Sequence, residues 1–78
     1  MALKKLRVKM IPVQSSNIEK IGYSEDKGSL FVRFHNGGTW TYNPVDQSVY
    51  NEMMTAESIG SYFVKNIKNN KELICLKL

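Results

Sequence analysis

The chain has 78 residues, 42% of them hydrophobic, and a formal charge of +4. That length fits one domain, and such a domain buries only about 60% of the surface its unfolded chain exposes, which leaves little room for a deep, dry active site. The apolar and aromatic content excludes a disordered chain, the single cysteine, Cys75, excludes an internal disulfide, and the charge favours anionic partners through long-range attraction.

The first residues are basic, with Lys4, Lys5, Arg7 and Lys9, and no long apolar stretch follows them. Neither a secretory signal nor a membrane span is expected, and the cytoplasm is the expected location. Over residues 5–10, Leu6, Val8 and Met10 alternate with Lys5, Arg7 and Lys9. Period two predicts a half-buried strand with a basic outer face. Pro12 ends that strand or confines it to an edge, because proline donates no ladder hydrogen bond. Gln14, Ser15, Ser16 and Asn17 form a polar connector.

A second strand is expected from Ile18 to Tyr23, then a turn in which Gly28 takes a positive φ. From Leu30 to His35 the residues Leu30, Val32 and Phe34 share one face; Phe31, Arg33 and His35 share the other. Asn36-Gly37-Gly38 is a hairpin signal. Thr39 to Tyr42 is the return strand, with Trp40 and Tyr42 on one face, where they pair with a row of the preceding strand.

The period then changes. Asn43-Pro44 offers a helix cap with proline at the first position, and Asp46 is an alternative cap. Val49, Tyr50, Met53 and Met54 form an apolar stripe that predicts a helix over 45–56, with the methionines filling core gaps. Ser58 restarts the chain, and Ile59, Phe63 and Ile67 recur four apart, so a second short helix runs to Ile67. Lys65, Lys68 and Lys71 suit a helix C-terminus. Residues 72–78 read as a last strand, apolar on both faces, that either inserts into the sheet or pairs with another subunit. Within it Cys75 reads as a small buried hydrophobe. The expected fold is therefore α+β: a small, mainly antiparallel sheet with two short helices packed on it.

Several segments, taken in order, resemble one family. They are Ile11 to Ile18, Ile21-Gly22-Tyr23, Leu30 to Gly37, Trp40-Thr41-Tyr42, Val49-Tyr50 and Ser58 to Ile67. The ordered set resembles the KTSC-domain family, a module at the C-terminus of some lysyl-tRNA synthetases that also stands alone in bacteria and their viruses. The resemblance covers residues 10–68 of a single domain, 1–78, and leaves terminal strands at 3–10 and 72–78 as additions. Family members are proposed RNA binders, so the resemblance implies RNA as a ligand. The family's Tyr-x-Tyr element stands here as Trp40-Thr41-Tyr42, which keeps stacking and loses the first phenol.

An enzyme is not expected. His35 is the only histidine and lies beside a hairpin, no Cys/His cluster has metal spacing, and no Gly-rich phosphate loop occurs. No cofactor or metal is implied. The expected function is non-enzymatic binding of a phosphate-bearing nucleotide ligand, RNA foremost. Trp40 and Tyr42 are the candidate stackers, with Phe31 as a further ring, and Arg33, Lys65 and Lys68 the candidate phosphate partners, with Lys20 beside them. Ser58, Gly60 and Ser61 are candidate contacts at a helix start, with Tyr62 stacking and Ser15, Ser16 and Asn17 adding polar groups. One alternative is a phage-type oligomeric sponge that sequesters a small or cyclic nucleotide immune signal. The other is a protein-binding adaptor or structural oligomer. Apolar terminal strands predict a homo-oligomer through those strands.

Overall fold

The computed structural model describes residues 8–78. Five strands lie side by side in chain order: β1 (Ile11–Pro12), β2 (Ile18–Ser24), β3 (Ser29–Phe34), β4 (Thr39–Asn43) and β5 (Ile74–Lys77). Every neighbouring pair is antiparallel. Helices α1 (Gln47–Met54) and α2 (Ile59–Phe63) fill the connection from β4 to β5, and α2 runs on into a π-helical turn, Val64–Lys68. The α+β architecture is the one the periodicities predict.

The meander follows from its turn residues. Gly28 (φ 62°) and Gly37 (φ 100°) take the left-handed region that side chains avoid. Asn36 Oδ1 accepts from the Gly38 amide at 3.1 Å and closes the second hairpin. That hairpin sets the register Val32↔Trp40 and Leu30↔Tyr42. Both rings therefore share the face of Leu30 and Val32, which is the face the helices cover.

Ile18, Ile21, Leu30 and Val32 from the sheet meet Met53, Phe63 and Ile67 from the helical layer, all buried. Burial stabilises each such side chain by about 1.5–3 kcal/mol. Phe63 sits edge-on between Tyr42 (centroids 5.3 Å apart) and Phe34 (5.7 Å), a preferred geometry for aromatic pairs. Met53 is a core residue, as the stripe predicts.

The first helix starts two residues later than expected because Val45 is committed elsewhere. Its amide donates to the Gly28 carbonyl at 2.7 Å, its carbonyl accepts from the Tyr23 hydroxyl, and its side chain is buried. Asp46, extended at φ −70° and ψ 152°, is the cap residue. Tyr50 of α1 stacks on Tyr23, with centroids 4.8 Å apart. Ser58 caps α2, its hydroxyl accepting from the Ser61 amide at 3.2 Å. In the π-helical turn the Asn69 amide reaches back five residues to the Val64 carbonyl at 3.2 Å.

The chain ends depart from expectation. Residues 3–7 of the predicted strand over 3–10 lie outside the described residues, and Val8–Met10 do not form a strand. The paired edge is Ile11–Pro12, where an edge position suits the proline. Val8 and Met10 cross the far face of the sheet at Gly22, where an added Cβ would stand 2.6 Å from Val8 Cγ1 and 2.7 Å from Met10 Sδ. At the other end, β5 does join the sheet, but as an edge strand beside β4. Ile74, Leu76 and Leu78 remain 57–60% exposed. Cys75 is exposed, not buried as its apolar neighbours suggested, because at the edge no layer of the described residues lies over it.

Candidate functional site

Beside β4 and β5, the π-helical turn and the segment that follows it stand off from the sheet. The gap is a hollow of about 550 Å³. Its floor is built from strands: Phe34, Trp40, Tyr42 and Cys75. Its wall comes from Ile67, Lys68, Asn70, Lys71 and Leu73, with Asn36 at the hairpin end. Among the described residues the lining carries two lysines, Lys68 and Lys71, and no carboxylate. Trp40 is half-buried, packed on the core along one side.

A second hollow of about 470 Å³ shares Phe34, Asn36 and Lys68 with the first. It adds His35, Ser16, Asn17 and Gly60. A third, of about 490 Å³, shares Ser16, Asn17, Gly60 and Val64 with the second and adds Ser15, Ser58, Ser61 and Lys65. The three form one groove that follows α2 and the π-helical turn. Lys71 lines its first hollow, Lys68 the first and second, and Lys65 the third. Among the described residues, Glu57 is the one carboxylate in the lining of the three hollows, at the far end.

Local structure explains the lining. Ser15 Oγ accepts from the amides of Asn17 (3.3 Å) and Ile18 (3.2 Å), which folds the polar connector against the start of β2. The His35 ring nitrogen Nε2 lies 3.0 Å from the Ser15 carbonyl, and the ring is solvent-exposed. A Cβ at Gly60 would stand 3.2 Å from Ser15 Oγ, so glycine lets α2 approach the connector closely.

The predicted site residues divide among three places. Trp40, Tyr42, Lys68, Ser58, Gly60, Ser61 and Lys65 all line the groove. Tyr42 is only 6% exposed, its ring held edge-on by Phe63, so it is a core residue and not a stacking platform. Arg33 faces away: it pairs with Lys20 and Thr39 across the far face and binds Glu19 Oε1 at 3.3 Å, which corrects its expected place beside Trp40. Phe31 lies on that far face too, by strand alternation. Tyr62 lines a separate hollow beside Val45 and Asn66, and its hydroxyl donates to Glu52 at 2.8 Å. Lys71, Asn36 and Asn70 line the groove without having been among the ligand-binding residues expected from sequence. Lys71 carried a signal, since it extends the spacing of Lys65 and Lys68 by three.

Burial, and then the side chain of Cys75 beside it, push the Tyr42 phenol well above its ordinary value near 10. It therefore stays protonated as a hydrogen-bond donor. Burial, then its bond to Glu52, raises Tyr62 likewise. Among the described residues no group of three or more His, Cys, Asp or Glu could hold a metal, and no helix is long and apolar enough to cross a membrane.

The model of the KTSC domain matches residues 14–70. A protein of Tsukamurella paurometabola is 40% identical over 53 residues, covering 68% of this chain and 79% of that protein. An uncharacterized protein of Stutzerimonas stutzeri is 30% identical over 56 residues, covering 72% and 79%. The crystal structure of KTSC Domain Protein YPO2434 from Yersinia pestis superimposes with a TM-score of 0.82 at 31% identity, over 91% of this chain and 97% of that one. In sequence, element order and fold, the chain belongs to the KTSC domain family.

Proposed function

We propose that the protein is a non-enzymatic binding module for a phosphate-bearing nucleotide ligand, and that this ligand is a short single-stranded RNA segment. One observation carries the reading: three adjoining hollows form a groove with Trp40 at one end and Lys71, Lys68 and Lys65 along it. Single-stranded nucleic acid is held by a basic track for phosphates and a ring for a base, and a stacked base contributes about 1–3 kcal/mol. A groove of linked hollows suits a strand better than a lone pocket does. Asn36, Asn70, Ser16 and Asn17 supply donors and acceptors for base edges and 2′-hydroxyls.

Salt dependence tests the reading. Three lysines on phosphates give a slope of log affinity against log salt of about −2, a loss of roughly 20-fold between ~50 and ~200 mM. A loss below about threefold argues against phosphate contacts.

The first hollow alone favours a second reading. Its volume of about 550 Å³ lies within the roughly 300–1,000 Å³ of small-molecule sites. A sponge for a small or cyclic nucleotide would fill it and release the nucleotide intact on heating. Recovery of a cleaved product would instead point to an enzyme.

A further inference from the structure

The outer edge of β5 is set for a strand. The Leu78 amide donates to the Thr39 carbonyl at 2.8 Å. In the same register Leu76 faces Thr41 and Ile74 faces Asn43. Antiparallel ladders alternate, so Ile74, Leu76 and Leu78 turn their backbone groups toward β4. Cys75 and Lys77 turn theirs outward, where no strand pairs with them among the described residues. On the side facing away from the helices, Ile74, Leu76 and Leu78 make an exposed apolar row.

We infer that a second copy of this chain pairs along this edge, β5 against β5, about a twofold axis at Leu76. The register is decided by the outward groups. With Leu76 opposite the partner's Leu76, Cys75 exchanges backbone hydrogen bonds with the partner's Lys77. Ile74 then meets the partner's Leu78, which completes a continuous apolar row of six side chains. Charge agrees: each lysine faces a cysteine, whereas a twofold at Lys77 would set two ammonium groups against each other. The partner's Lys77 then stands beside Cys75 on the floor of the first hollow, so the second copy adds a cation to the groove. The inference does not rest on the nucleotide reading.

The contact is small. Two four-residue edges bury on the order of 800 Å² in total, below the roughly 1,200–2,000 Å² of stable complexes. A dimer that dissociates in the micromolar range is expected, not a permanent one.

Sedimentation of the full chain from low to high micromolar concentration reads the mass. The weight-average mass should climb from monomer toward dimer, and Leu76→Lys should hold it at monomer with an unchanged thermal midpoint. In a Cys75→Ser background, Leu76→Cys should form an intermolecular disulfide in a glutathione buffer, because facing residues of this type bring Cα atoms to about 4.5 Å. A monomer at every concentration with no disulfide overturns the inference. So does self-association that survives Leu76→Lys, or a wild-type dimer linked through Cys75, since either requires another surface or register. A monomer whose Cys75 and Lys77 amides are protected from exchange also overturns it, because another part of the chain then covers the edge.

Discussion

Trp40 and Lys77 stand directly opposite each other on β4 and β5. A Cβ placed on Gly38 would lie 3.5 Å from the indole Nε1 and 3.9 Å from Lys77 Cε, so all three residues meet at one corner of the sheet. Of the three, Trp40 lines the first hollow, so the corner sets a charge beside the ring on which the proposed ligand would stack. Trp40→Ala should weaken binding of a short RNA by about 5- to 150-fold, the equivalent of roughly 1–3 kcal/mol of lost stacking. Trp40→Phe should restore most of it. Fluorescence anisotropy measures the affinity, and circular dichroism shows that both variants fold.

The lysines along the groove should act through charge alone. Lys68→Ala and Lys71→Ala should each lower affinity uniformly across sequences and reduce the salt slope by about 0.7. Arg33→Ala, on the opposite face and bound to Glu19, should leave both quantities unchanged. Isotherms at several salt concentrations decide the matter.

The tyrosines give a pH dependence with a definite sign. Burial raises the phenols of Tyr23, Tyr42 and Tyr62 in the folded chain. The folded state therefore holds its phenolic protons more tightly than the unfolded one above the ordinary value near 10. The stability they contribute is complete below that pH and is lost as pH rises toward the folded values. The urea midpoint should be flat in these groups from neutrality to about pH 9, then fall. Tyr42→Phe should make the alkaline fall shallower; an equally steep fall would assign it to other groups.

Met53 has no exposed surface and lies at the centre of the core. Met53→Ala should cost about 2–5 kcal/mol. For a domain this small that corresponds to a drop in the thermal midpoint of about 4–8 °C for each kcal/mol. Calorimetry reads it, and Met54→Ala, on the half-buried side of the same helix, should cost clearly less.

Much of the meander was legible because its signals are local. Gly28 and Gly37 mark turns that need a positive φ, and alternation over Leu30 to His35 separates a core face from an outer face. The site was less legible because it depends on residues far apart in sequence. Trp40 and Tyr42 look alike on β4, yet Phe63, twenty-one residues after Tyr42, seals one and leaves the other half-open. The place of Arg33 depends on the hairpin register: Val32, not Arg33, pairs with Trp40. The late start of α1 follows from a bond between Val45 and Gly28 that no helix signal contains. Cys75 sits in an apolar run, which says that burial is favourable and not whether a neighbouring layer exists to provide it.

The most direct measurement is an NMR titration of the labelled protein with a short single-stranded RNA. The account predicts shifts concentrated at the Trp40 indole, Asn36, Asn70, Lys68 and Lys71, continuing to Lys65, with Phe31 and Arg33 on the far face unmoved. Shifts centred on the far face, or none at saturating RNA, would contradict it.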